Sequence, residues 1–576
     1  MRNARGLRRS ILLALSLLSG CAASNVPPRG AASDAAAPAL HVGAAGAFLT
    51  GRFAATQNDM GFASDEFLRA LGKDPASATL RQQAFLTTLL DGRPEAVRLA
   101  RQQPDNPAAL LLLGGNAVAA GNWDAAESRF AALPKQGLTQ LLQPLLVAWS
   151  QQGQGHTDTA IATLQPYIEG QRFRAVYALH AAAIADLANR TAEAARLYRT
   201  AETEFGGPNL ELSRLLASWH ARQGHSTEAA QAIRALVEGS PDLAIAQSAM
   251  LAHVGQREIR RPADGIAEAY LALAFALHAQ DANEFAAVLV RLALDLRSDF
   301  TAARLLSAEL AEAGNHPGLA LAALSPVGPD DPLFPVVQLR RTVLYDKMGN
   351  TEEALRVLDE MARSYPSRPE PLVVKGDILR SKRRFSDAVT AYDGAIERVP
   401  NPGRADWVLF YDRGIALDRS HQWSRAQGDF EKALALSPDQ PYALNYLGFS
   451  WTEQGHNLGQ AQQMIARAVE QRPNDGSIVD SLGWVMLRQG DVRGAVHTLE
   501  RAVELDPTDA EVNGHLGDAY WAAGRRLEAR FQWQRALTLN PDPDAAARIE
   551  ARLRDGESQA VKQPATAEKT VPQTTQ

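Results

Sequence analysis

The chain has 576 residues, 46% of them hydrophobic and 22% charged, with a formal net charge of −6. One core rarely grows past about 250–300 residues, so this length requires several domains or a repeat array whose units pack only on their neighbours. The acidic balance gives no general pull toward nucleic acid or anionic lipid, and a single cysteine, Cys21, excludes an intrachain disulfide framework and a multi-cysteine metal site.

Residues 1–20 read MRNARGLRRSILLALSLLSG: four arginines, a mostly apolar run Ile11–Leu18, then small residues. That is the layout of a secretory signal, too short to span a bilayer as a mature helix. Its removal takes four arginines and leaves the rest of the chain near −10. Leu18-Ser19-Gly20-Cys21 resembles a bacterial lipobox, in which the cysteine is lipidated through sulfur and becomes the new N-terminus. A plain signal peptide with an incidental cysteine is the alternative. The resemblance implies an anchor at Cys21, and two or three acyl chains hold stably where one is marginal. Ala22 stands where many inner-membrane lipoproteins carry Asp, which by analogy implies the outer membrane of a Gram-negative bacterium, facing the periplasm. The stretch 21–43 is rich in Ala, Pro, Ser and Gly, and reads as a flexible tether.

From Ala44 the chain runs in a 34-residue ladder, plainest in 476–509 and 510–543. There Leu-Gly recurs at places seven and eight (Leu482-Gly483, Leu516-Gly517), glycine at fifteen (Gly490, Gly524) and alanine at twenty (Ala495, Ala529). A large residue follows at twenty-four (Leu499, Trp533), alanine at twenty-seven (Ala502, Ala536) and proline at thirty-two (Pro507, Pro541). Small residues let two helices approach, glycine permits the turn between them, and proline stops the second helix. The period and pattern resemble the tetratricopeptide repeat (TPR). That resemblance implies an all-α fold: a right-handed α-solenoid of about fourteen helix–turn–helix repeats.

Six units precede a break: 44–77, a shortened 78–106, then 107–140, 141–174, 175–208 and 210–243. Together, 44–243 is an N-terminal array. Residues 244–266 are too short for a unit and carry the charged stretch Arg257–Pro262; they read as an elongated loop or degenerate helix pair, a hinge, or a partner-binding loop. A C-terminal array follows over 267–543. It comprises 267–300, 301–334, 335–368, 369–402, 407–440, 441–475, 476–509 and 510–543. Residues 544–558 are expected to form a capping helix with a polar outer face, and 559–576, almost without apolar content, a disordered tail.

No catalytic constellation is found. His156, His225, His316 and His456 all fall at place sixteen, just after the inter-helix turn. Helices about 8–10 Å apart string them along a ridge, too far for ligands that must lie about 2 Å from one metal. Gly153-Gln154-Gly155 lacks the strand and third glycine of a phosphate loop. No enzyme activity, metal or cofactor is expected.

In TPR proteins the first helix of each unit lines a concave surface through places two, five, six, nine, twelve and thirteen. In the C-terminal units these places give Tyr411, Asp412 and Asp418, then Asn445, Tyr446 and Phe449. The next two give Asp480, Trp484 and Arg488, then His515, Asp518 and Trp521. Aromatic rings among hydrogen-bonding side chains suit an extended or helical peptide. Some of these rings, Trp484 and Trp521 above all, could instead pack between helices. Asn445 sits at place five where carboxylate-clamp TPRs use six, and the clamp lysines are missing, so a chaperone-tail clamp is not expected.

Resemblance to TPR lipoproteins of envelope machines implies a non-catalytic scaffold binding one or more envelope proteins in this groove, in assembly, secretion, pilus or polysaccharide export. It would touch the membrane only through its lipid and bind no nucleic acid. The alternative is a glycan-binding or glycan-transfer accessory subunit using the aromatic groove. A transferase would need a catalytic segment outside the repeats, and the ladder leaves none.

Overall fold

A computed structural model describes residues 43–562 apart from 138, 171 and 172. The leader, Cys21 and the tether up to residue 42 lie outside the described residues, as does 563–576. The described chain is all-α, and its helices stack as antiparallel pairs.

Six pairs come first. They are α1 (Ala44–Thr56) with α2 (Met60–Lys73), α3 (Ala78–Asp91) with α4 (Glu95–Ala100), and α5 (Pro107–Ala119) with α6 (Trp123–Ala131). Next stand α7 (Thr139–Gly153) with α8 (Thr157–Glu169), α9 (Arg174–Leu187) with α10 (Thr191–Phe205), and α11 (Leu210–Arg222) with α12 (Ser226–Gly239). A 3-10 turn at Pro241–Ala246 and the short α13 (Gln247–His253) break the ladder. Eight pairs follow, beginning with α14 (Pro262–His278) and α15 (Asn283–Leu296), then α16 (Thr301–Ala313) and α17 (Pro317–Leu324). After them come α18 (Phe334–Lys347) with α19 (Thr351–Ser364), and α20 (Glu370–Ser381) with α21 (Phe385–Glu397). The last four are α22 (Trp407–Arg419) with α23 (Trp423–Leu436), α24 (Pro441–Gln454) with α25 (Leu458–Gln471), α26 (Gly476–Arg488) with α27 (Val492–Leu505), and α28 (Ala510–Ala522) with α29 (Arg526–Thr538). The helix α30 (Pro543–Lys562) closes the stack.

Local chemistry sets these boundaries. Asp475 accepts from the Ile478 N–H at 3.2 Å and Asp509 from the Val512 N–H at 3.0 Å, so each starts its helix by satisfying an orphan donor. Gly490 and Gly524 turn the chain between helices at φ of 89° and 79°, where a side chain is disfavoured. His156, His225 and His316 stand at the N-caps of α8, α12 and α17. Within a pair the small residues bring the backbones together: a methyl on Gly483 would meet Leu499 Cγ at 2.5 Å, and one on Gly517 would meet Trp533 Cδ1 at 2.4 Å.

Two boundaries differ from the sequence expectation. The helix α14 begins at Pro262, inside the stretch read as an interruption. Asp264 accepts from the N–H groups of Arg260 and Arg261 at 3.0 and 3.1 Å and so fixes the start there, with proline at the first turn. At the other end α30 runs to Lys562, past the cap drawn at 544–558 and into the tail, through residues rich in the helix formers Ala, Arg and Glu.

The larger departure is tertiary. The pair α14–α15 does not simply extend the ladder; it turns back into the concave face of the first array. There α14 packs on α7 and α9, while α15 packs on α3 and α5. One continuous core runs from Ala54 to Leu306 as a result. The helix α14 is buried on nearly every side, from Ala263 and Ile266 through Tyr270 and Leu273 to Leu277. A helix apolar all round belongs in an interior, and each such aliphatic or aromatic side chain stabilises by about 1.5–3 kcal/mol when fully buried.

Candidate partner-binding groove

The two arrays present two concave faces in different states. In the first, Trp149 of α7 is fully buried beneath α14, and its Nε1 donates to His180 Nδ1 of α9 at 3.0 Å. Accepting there leaves the His180 proton on Nε2, 3.7 Å from Glu211 Oε1. Burial lowers His180 to about 4, so the ring is neutral at physiological pH. Burial, and then the charge of Glu268, push the Glu211 carboxyl up against the pull of Arg214. On α14, Glu268 faces Arg297 at 3.2 Å and Arg214 at 3.9 Å. This groove already holds its ligand: the chain itself.

The residues leading into α14 are fastened rather than free. Ser218 donates to the Gln256 carbonyl at 2.6 Å, Arg257 reaches Asn189 at 3.0 Å, and Glu258 pairs with Arg214. A cavity of about 580 Å³ lies beside them, lined among others by Arg214, Glu258, Arg297, Asp299 and Arg304. Its arginines are spoken for: Arg260 and Arg297 face Asp299, and Arg304 donates to the carbonyls of Ser298 and Ala323.

The second concave face, from α20 to α28, has no such plug among the described residues. The sequence-predicted groove residues divide into floor and wall. Trp484, His515 and Asp480 form the floor, 8%, 7% and 4% exposed. The Trp484 and His515 rings stack at 4.1 Å between centroids, and His515 Nδ1 meets Asp480 Oδ2 at 2.8 Å. These three pack between neighbouring first helices, the alternative considered for Trp484. Around them stand the half-buried Phe449, 6.2 Å from the His515 ring, and Arg488, whose guanidinium carbon lies 5.8 Å from the Trp484 ring centre. Trp484 Nε1 donates to Glu453 at 2.6 Å, and Arg488 faces the same carboxylate at 3.7 Å.

Farther along, Tyr411 and Tyr446 meet edge-on at 6.1 Å, and the Tyr446 hydroxyl donates to Asp418 at 3.0 Å. The half-buried Asn445 has a side-chain oxygen with no hydrogen-bond partner. At the distal end Trp521 lies 5.3 Å from Trp533, whose Nε1 donates to Asp518 at 2.9 Å, and Arg552 of α30 pairs with Asp518 at 2.7 Å. Asp518 is thus a bracing residue between the last repeat and its cap.

On this face burial and neighbouring charge compete at His515 and at Asp412. Burial opposes the charge on His515, but the Asp480 carboxylate outweighs it and holds the imidazole up at about 9. Asp412 is pushed up to about 6, by burial first and the nearby Asp377 second, although Arg380 lies 3.2 Å away. Sequence reasoning passed over Arg380, Glu453 and the whole Trp149–His180 floor. The last was readable: Trp149 and His180 fall at places nine and six of consecutive units, as Trp484 and His515 do.

Comparison with known proteins bears on the same stretches. Family models described as tetratricopeptide repeat match residues 188–244, 343–402 and 411–476, and a second one matches 486–553. A TPR repeat-containing protein of Pseudomonas aeruginosa is 30% identical over 210 residues, 36% of this chain and 35% of that one. Human tetratricopeptide repeat protein 13 is 29% identical over 148 residues, 25% of this chain and 16% of its own length. The chain therefore spans about a third or less of these relatives. Among solved structures, the Cut9–Hcn1 assembly of the APC/C matches 88% of this chain and 96% of the solved chain at 14% identity and a TM-score of 0.38. Yeast Tom70 matches 90% of this chain and 96% of its own at 12% identity and a TM-score of 0.33.

Proposed function

We propose that this chain, a tetratricopeptide repeat protein over residues 188–244, 343–402, 411–476 and 486–553, is a non-catalytic scaffold that receives segments of partner proteins in its second concave groove. The observation that carries this is the contrast between the grooves. One is filled by α14 and α15, while the other keeps Tyr411, Asn445, Phe449, Arg488 and Trp521 partly exposed along one face. Aromatic and arginine side chains beside an unpaired amide oxygen supply contact area and orientation together. The partners are envelope proteins, and the scaffold is held at the periplasmic face of the outer membrane through lipid on Cys21. The signal-like leader and the Leu18–Cys21 pattern support that placement.

In-cell photo-crosslinking from a probe at Arg488, with a matched probe at the exposed Arg501 of α27, tests the groove. A protein captured only from 488 is the expected result. Capture from 501 with none from 488 refutes the groove as the working surface. Metabolic labelling with a fatty-acid analogue tests the anchor: label lost in Cys21→Ser is expected, and label retained there refutes it.

A further inference from the structure

Three residues recur in register between the two grooves. Trp149 and Trp484 stand at place nine of their units, and His180 and His515 at place six of the next. One unit further, counting the cap from residue 544, Arg214 and Arg548 stand at place five. No other unit has tryptophan at nine, histidine at six or arginine at five. Chance coincidence of three independent places in the same order is a poor account of this.

In the first groove the set has an occupant. Gly265 of α14 lies so close on Trp149 that an added Cβ would meet ring atoms at 2.2, 2.3 and 2.4 Å. One helical turn later, Glu268, paired with Arg297 at 3.2 Å, also faces Arg214 at 3.9 Å, beside Glu258 of the segment leading into the helix. In the second groove Trp484 is covered by side chains instead, through the Arg488–Glu453 pair, both ends of which are well exposed. Arg548 is exposed and in no ion pair among the described residues, its charge acting on Asp518, which Arg552 already pairs at 2.7 Å, while His515 is already paired with Asp480 at 2.8 Å. The charged member of the set outside an ion pair is therefore the arginine at its distal end.

We infer that Trp484, His515 and Arg548 seat an α-helix of a partner protein, one that presents glycine to the tryptophan and a carboxylate three residues later to the arginine. The seat rests on the reading of the second groove as the partner surface and specifies what that groove takes. Glycine is required because at α14-like approach the indole leaves no room for a Cβ. The acid is called for because Arg548 is the charged member of the set outside an ion pair, Asp518 nearby being held by Arg552, and an ion pair shielded by a docked helix is stronger than an exposed one. Docking shifts the exposed Arg488 aside, while Glu453 keeps the Trp484 N–H that it accepts at 2.6 Å.

A fluorescein-labelled peptide of residues 262–278, made soluble by a polyethylene glycol linker, is the probe, titrated into the full chain by anisotropy. Its natural seat in the protein is already filled, so saturable binding reports the second groove. Binding is expected to weaken at least tenfold when the peptide carries Gly265→Leu. It should weaken at least tenfold with Glu268→Lys and recover when the protein carries Arg548→Glu, an exposed substitution whose fold is checked by circular dichroism. No binding of the parent peptide, or binding indifferent to both peptide changes and to Arg548→Glu, overturns the inference. Partner capture from residue 488 alongside such a failure refutes the seat and leaves the groove reading standing.

Discussion

Replacing Gly265 by alanine distinguishes a seated α14 from a free one by sign. In an unpacked helix interior the change stabilises by about 0.5–1 kcal/mol, because glycine loses more backbone freedom on folding. In the seated helix the new methyl meets Cε2, Cζ2 and Cδ2 of Trp149 at 2.2, 2.3 and 2.4 Å, where carbon atoms prefer about 3.5–4.0 Å. Trp149 has nowhere to go, since it is fully buried and its Nε1 is held by His180. Overpacking of this kind costs about 1–3 kcal/mol, and a buried hydrogen bond lost in the adjustment about 1–3 more. Set against the helix-propensity gain, the net loss is about 2 kcal/mol. For a cooperative unit of this size that corresponds to a fall in Tm of roughly 4–8 °C. Calorimetry of the full chain measures it, and hydrogen exchange should quicken in α14 and in the faces of α7 and α9 beneath it. Trp149→Leu in the same chain should recover part of the loss, with a coupling of about 1–2 kcal/mol. An unchanged or raised Tm for Gly265→Ala would refute the account of α14 as a plug.

Other substitutions test the remaining electrostatics. His515 is held at about 9 against an unfolded value near 6.5, so its stabilising contribution is fully present below about pH 6.5 and is lost as pH rises through 9. The unfolding free energy of the second array should fall between pH 7 and 10 by on the order of 2–3 kcal/mol, and His515→Gln should flatten that slope; an equal slope in both proteins would count against the Asp480 pairing. Arg214→Ala leaves Glu258 and Glu268 without their shared cation and should cost about 3–5 kcal/mol in the first array by urea denaturation. A loss under 1 kcal/mol would show the pair to be dispensable. Asp412, raised to about 6, contributes stability that is present below about pH 4 and lost as pH rises through 6. Asp412→Asn is therefore expected to stabilise at pH 8 by about 1–2 kcal/mol, and destabilisation there would refute a strained carboxylate.

The sequence by itself determined the repeat unit and its internal geometry. Gly483 against Leu499 and Gly517 against Trp533 are contacts between neighbours in one helix pair, and so are the turns at Gly490 and Gly524. Interactions of that range recur every 34 residues and leave a periodic trace, which is why fourteen units were legible from columns of letters. The groove places were legible for the same reason, since place within a unit decides which way a side chain points. How deep those side chains lie was not. Trp484, His515 and Asp480 form a floor while Phe449 and Arg488 form a wall, although Trp484 and Phe449 share place nine, because the side chains each meets in the adjoining unit set its exposure, and no single column encodes those neighbours. The return of α14 into the first groove was beyond a linear reading altogether. It depends on Gly265 meeting Trp149 and Glu268 meeting Arg214, residues from separate parts of the ladder whose contact has no period. Only the tertiary structure decided that one groove is the chain's own core and the other its outward face, because burying α14's apolar circumference requires a concave surface that exists only once the repeats carrying α3, α5, α7 and α9 have stacked.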